Sequence, residues 1–170
     1  MEEVFVNRVA NSGLETINLE DFYPQGDRVK RDVKELLFME LVLKEKDFRD
    51  WVKNNDWGQY EGKFVAVFCS NDAIVPTWAY MLIASKLSGV AKKVVFGDLN
   101  ALESVLWQDA MSNLDINNYI DKKVVIKGCG DLPISAAAYT DISSKLIPVV
   151  QSLMYGEPCS TVPVYKRKTT

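Results

Sequence analysis

Three residues in this chain carry chemistry that a packed core does not need: Cys69, Cys129 and Cys159. Each has small or polar neighbours (Ser70; Gly128 and Gly130; Ser160), the setting of a turn rather than of an apolar run. Thiolates are soft ligands that select zinc, copper(I) or iron–sulfur clusters. Three of them leave one coordination position for Asp72, Asp131, Glu157, water or a substrate. A second use is a single reactive thiol. A strand-end cysteine that opens into a helix amino terminus has its thiolate favoured, and Cys69 is the better candidate for accepting persulfide sulfur. Asp72, three residues on, opposes that ionisation. The third use is structural, because free cysteine packs as a small hydrophobe. The protein is then a non-catalytic interaction protein with buried cysteines. The chain has no histidine, which removes Ser–His–Asp and Cys–His catalysis and every His-ligated metal site.

The elements that must position these thiols are read from periodicity. Phe64–Phe68, Lys93–Phe96 and Lys123–Ile126 are short, nearly continuous apolar runs rich in β-branched residues, as expected of parallel strands covered on both faces. Helical patterns follow them: Thr77–Leu87 after Pro76, Leu99–Leu114 after the capping residue Asp98, and Ser135–Met154 with a kink or break at Pro148. The alternation predicts an α/β fold, a mostly parallel sheet flanked by helices in an α/β/α layering. Before it, Thr16–Leu19 reads as a short strand and Arg31–Asn54 as one or two helices. Residues 1–170 are thus expected to form a single domain. In it a helical amino-terminal extension, residues 1–60, packs on a core of residues 61–170.

That core contains an internal βα repeat. Val65–Asp72 leads to Ala79-Tyr80 and Ser85-Lys86-Leu87, and Val124–Asp131 leads to Ala138-Tyr139 and Ser144-Lys145-Leu146. The spacing from Tyr to Ser-Lys-Leu is the same in both, and the spacing from Cys to Tyr differs by one residue. Cys69 and Cys129 therefore fall at carboxyl ends of strands, the edge of open α/β sheets where ligands bind. Cys159 lies in a Gly/Pro turn after the last helix, and spacing alone leaves open whether it meets the other two.

Composition narrows the function further. With 170 residues, 48% hydrophobic and 25% charged, the chain has the ordinary balance of a globular protein, and its formal charge of −3 argues against a nucleic-acid surface. The longest uncharged apolar stretch, near Ala73–Ser85, contains Pro76 and is too short to cross a bilayer. An amino end without a secretory pattern and an odd cysteine count point to the cytoplasm and to reduced thiols. The segment Val4–Leu19 is poor at closing its own core and fits a homo-oligomer.

Several segments also carry a resemblance. Asn7–Gly13, Asp21-Phe22-Tyr23-Pro24, Leu43–Arg49, Ala73–Met81 and Gly156–Pro163 resemble an uncharacterised bacterial family, domain of unknown function 2480. The resemblance covers essentially the whole chain and assigns no role to any residue. It implies a place in iron–sulfur metabolism beside iron–sulfur assembly proteins, and so adds weight to a thiolate metal site or a persulfide carrier.

Overall fold

The computed structural model describes residues 13–127, 130–157 and 160–168. In chain order its elements are β1 (Leu14–Asn18), β2 (Arg28–Asp32), α1 (Glu45–Asn54), β3 (Phe64–Phe68), α2 (Thr77–Leu87), β4 (Lys93–Phe96), α3 (Leu99–Ser112), β5 (Lys123–Lys127), α4 (Ala136–Leu146), β6 (Ser152–Glu157) and β7 (Ser160–Lys166), with short 3-10 turns between. The α/β class and the mostly parallel pairing are as expected. The layout is not one sheet with an extension. The chain divides into two compact units, a central one (Gln25–Val105) and a terminal one (Met1–Pro24 with Leu106–Thr170), each with its own sheet.

In the central unit β2, β3 and β4 are parallel, in that order. Val65 and Val67 of β3 point to one face, where they bury Phe48 and Val52 of α1 and Ala79, Ile83 and Leu87 of α2. On the other face Arg28 lies over the Phe64 ring, 5.2 Å from its centroid, and its Nε donates to Glu103 of α3 at 2.7 Å. Asp98 caps α3 as expected, accepting from the Ala101 amide at 2.9 Å.

The terminal unit orders its strands β1-β5-β6-β7, parallel except for the antiparallel β7. Ile17, Val124, Ile126 and Leu153 of this sheet bury Ala138, Ile142 and Leu146 of α4 with Trp107 and Met111 of α3.

The expected repeat is present and longer than its strand and helix. Phe64 pairs with Lys93 in one unit, and Lys123 with Ser152 in the other. Residue for residue, Tyr60 matches Tyr119, Phe64 matches Lys123, Tyr80 matches Tyr139 and Gly97 matches Gly156. Even Phe48 and Val52 of α1 match Trp107 and Met111 of α3, and all four are buried. Rings stack edge-on at equivalent places, Tyr80 with Phe96 and Tyr139 with Tyr155. The turn before the middle strand also recurs: Gly62 (φ 68°) and Asp121 (φ 56°) are both left-handed, and their amides donate to Val90 and Val149 at 3.0 and 2.9 Å.

Three expectations need correction. The first sixty residues are not a helical extension, because β1 and β2 are strands, one for each sheet. Over Arg31–Asn54 only Glu45–Asn54 is α-helical, and Arg31 belongs to β2. The charges of β2 survive in a strand because ladder bonds to β3 satisfy its backbone, while Arg28 pairs with Glu103 and Arg31 lies over Trp51 at 4.8 Å. The last helix stops at Leu146, because Pro148 cannot continue it and Ser152–Tyr155 instead pair with Lys123–Ile126. Tyr155, Gly156 and Thr161, read as a turn, lie in the strands β6 and β7.

Candidate functional site

Parallel strands bring their carboxyl ends, and the loops that follow them, to one edge of the sheet. In the central unit this edge is built by the ends of β2 and β3. The ladder runs one bond past the strands, with the Val33 amide donating to the Phe68 carbonyl at 2.8 Å. The chain then turns, and the Asp32 carboxylate holds the turn. Its Oδ1 accepts from the Lys34 amide at 2.9 Å and from the Ser70 amide at 3.1 Å, and the Ser70 hydroxyl donates to it as well. Burial pushes the Asp32 carboxyl up, but these bonds and the charge of Lys34 outweigh it and hold the group below its ordinary value.

Cys69 sits between the end of β3 and this anchored Ser70. It is half-buried and packs against the core of the central unit. Tyr80, on the second turn of α2, completes the corner. Burial first, then the negative charges of Cys69 and Asp32, hold its phenol above its ordinary value.

The loops around the corner are laced together. Asn71 donates from Nδ2 to the Glu40 carbonyl at 2.8 Å, Lys34 pairs with the Glu40 carboxylate at 3.2 Å, and Val42 bridges to Ile74. Between Phe38 and Val42 the chain makes a tight hairpin whose central residues, Met39 and Glu40, are both left-handed (φ 52° and 60°) without being glycine. Its side chains form an apolar rim of Phe38, Met39, Leu41 and Val42 beside Ile74, which is 91% exposed.

In the terminal unit, Asn18 occupies the position of Asp32. Its Oδ1 accepts from the Glu20 amide at 3.4 Å, and Glu20 in turn accepts from the Leu132 amide at 3.0 Å. The residue matching Ser70 is Cys129, and the residue matching Cys69 is Gly128, so the two cysteines are offset by one position rather than equivalent.

Of the residues expected to form a metal site, Cys69 lies at the strand edge as anticipated. Asp72 and Asp131 are exposed in their loops. Cys129 and Cys159 lie outside the described residues. Among the described residues no group of three or more Cys, Asp and Glu side chains stands close enough to hold a metal. Asp32 was not anticipated. It ends a strand rich in charge, and its partner Ser70 is distant in sequence. The available signal was the run Arg28-Val29-Lys30-Arg31-Asp32, in which one acid follows three bases.

A family model describing proteins of unknown function, DUF2480, matches residues 3–167. The chain belongs to this family. The match spans both units, so the duplicated βα architecture falls within one DUF2480 domain. Searches of curated proteins and of solved structures find no match to this DUF2480 protein. Among its described residues no helix is long and apolar enough to cross a membrane.

Proposed function

We propose that the protein is a cytoplasmic accessory protein of iron–sulfur metabolism that takes up a soft metal ion, such as zinc, or an iron–sulfur species. Cys69, Cys129 and Cys159 are its thiol ligands, Asp72 and Asp131 the carboxylates that follow Cys69 and Cys129 in sequence, and iron–sulfur assembly proteins its partners. The observation behind this reading is the corner at the carboxyl end of β3, where the half-buried Cys69 follows the strand and the Asp32 carboxylate accepts from the adjoining Ser70 amide at 3.1 Å. A soft cation bound there would be held by the thiol sulfur, with the carboxylate adding negative charge nearby. The deciding experiment measures metal and acid-labile sulfide on anaerobically purified protein, with its visible spectrum. The reading expects metal near stoichiometric and lost in each single Cys→Ser variant, with labile sulfide marking a cluster. Protein that stays empty after reconstitution overturns it, as does undiminished binding by the triple Cys→Ser variant.

One observation favours a second reading. Cys69 stands half-buried at the carboxyl end of β3, before the loop that leads to α2. A thiol so placed suits a persulfide carrier: the Cys69 thiolate takes the outer sulfur of a donor persulfide, leaving Cys69 persulfide and the donor thiol. Mass spectrometry after incubation with a persulfide donor should then find one added sulfur, on Cys69. Thiols that label only on unfolding would instead mark the cysteines as packing residues in an interaction protein.

A further inference from the structure

The duplicated architecture gives β4 of the central unit a counterpart in β6 of the terminal unit. Val94 corresponds to Leu153, Phe96 to Tyr155 and Gly97 to Gly156, and both strands pair in parallel with the middle strand before them. Their outer edges differ. Along β6 lies the antiparallel β7, which sets Tyr165 opposite Leu153 and Val162 opposite Tyr155. Among the described residues β4 pairs with β3 alone, as the edge of the central sheet. Burial records the difference. Leu153 is 0% exposed and Tyr155 37%, whereas Val94 is only half-buried and Phe96 is 69% exposed. Beside this edge is a hollow of 240 Å³ lined by Val67, Tyr80, Met81, Ala84, Val94 and Phe96. In the terminal unit Tyr165, opposite the match of Val94, packs against the core. The hollow is therefore the place of a side chain that a strand laid along β4 would bring. Edges not meant for pairing are blunted by charge or proline. β7 carries Pro163, and β2, at the other edge of the central sheet, carries Arg28, Lys30, Arg31 and Asp32. Lys93-Val94-Val95-Phe96 has no proline, and no charge past its first residue.

We propose that β4 pairs antiparallel with β4 of a second copy of this chain, joining two central sheets across a twofold axis. What points to a second copy is that the strand complements itself, as a twofold contact requires. With Val95 opposite the partner's Val95, Val94 meets the partner's Phe96, and Phe96 meets the partner's Val94. Each pair sets an aromatic ring against an aliphatic side chain, as Leu153 with Tyr165 and Tyr155 with Val162 do between β6 and β7. The ring of Phe96 then comes to the partner's hollow as Tyr165 comes to Leu153. The backbone suits the same register. The Gly97 amide donates to the Val67 carbonyl of β3 at 2.9 Å, so by alternation Val94 and Phe96 turn their amides and carbonyls to the free edge. The edge of β6 that β7 covers follows the same alternation: Gln151, the match of Lys92, accepts from the Arg167 amide at 2.9 Å. In the proposed register these free groups bond one another in two reciprocal pairs. Charge selects the antiparallel sense. It brings Lys92 and Lys93, before and at the start of the strand, beside the partner's Asp98, whereas a parallel pairing sets lysine against lysine. The charge of α2, Lys86, follows Leu82 by one turn on the flank that Arg49 borders, away from Tyr80 and Ala84.

Sedimentation equilibrium of the full chain, from micromolar to several hundred micromolar, tests this. The wild type should approach twice the 19.2 kDa chain mass. Phe96→Asp puts a charge on the edge, and Val94→Pro removes an amide that only the partner strand would use; each should weaken association by about tenfold or more. Circular dichroism of Phe96→Asp should match the wild type, since that side chain is mostly exposed in the single chain. Val164→Lys, an exposed position on β7, should leave association as in the wild type. A chain that remains monomeric throughout the range overturns the proposal. So does a dimer that neither β4 variant weakens, or one that Val164→Lys weakens as much.

Discussion

Replacing Asp32 with alanine tests how the carboxyl edge of the central unit is held. The substitution leaves the Lys34 amide, the Ser70 amide and the Ser70 hydroxyl without their shared acceptor. A hydrogen bond to a charged acceptor contributes about 1.5–3 kcal/mol when well buried. Ser70 is exposed, so water can replace part of what is lost, and a total destabilisation of about 2 kcal/mol follows rather than the sum of three full bonds. The effect must also depend on pH. The Asp32 carboxyl titrates below its ordinary value in the folded chain, so its contribution is fully present above about pH 4. It is lost as the pH falls through the depressed folded-state value. The gap between wild type and Asp32→Ala should therefore be widest at neutral pH and close on acidification. Urea unfolding followed by tryptophan fluorescence is suited to this, because Trp51, Trp57 and Trp78, each partly buried, pack against the core of the central unit. Asn18→Ala, which removes the neutral counterpart in the terminal unit, should be milder and insensitive to pH over the same range. A gap under about 0.5 kcal/mol at neutral pH, or one that persists unchanged into acid, would refute the reasoning.

Two further substitutions probe the backbone. Gly97 has φ 131°, and a Cβ there would stand 2.5 Å from the Ala101 side chain, so Gly97→Ala should cost about 2 kcal/mol or more in thermal or urea unfolding. Met39, left-handed at φ 52° and 73% exposed, gives up little packing when replaced. Met39→Asn should raise stability by about 0.5–1 kcal/mol, because asparagine tolerates the first central position of this hairpin turn; lower stability would count against strain there.

Local chemistry made part of this fold legible. The runs Phe64–Phe68 and Lys123–Lys127 are strands because continuous branched and aromatic residues suit burial on both faces. Helix α2 begins after Pro76 and α3 at the Asp98 cap, since both signals act within a turn of the residues that carry them. The repeat was visible because matching residues, Tyr80 with Tyr139 and Leu87 with Leu146, occupy matching places in two copies of one supersecondary unit.

What stayed hidden depends on distant pairing. Arg28–Asp32 has the composition of a solvated segment and becomes a strand only because β3 satisfies its backbone and Glu103 and Trp51 receive its arginines. Ser152–Tyr155 continues an apolar pattern that suits a helix, and its strand state comes from β5 lying beside it. Likewise, residue types alone named Cys69 as the thiol at the sheet edge. That Asp32 and Tyr80 surround it was decided by the tertiary structure, because parallel register aligns the ends of β2 and β3 while α2 returns Tyr80 over them. Side-chain chemistry is written residue by residue, but which charges act on it depends on contacts that only chain closure creates.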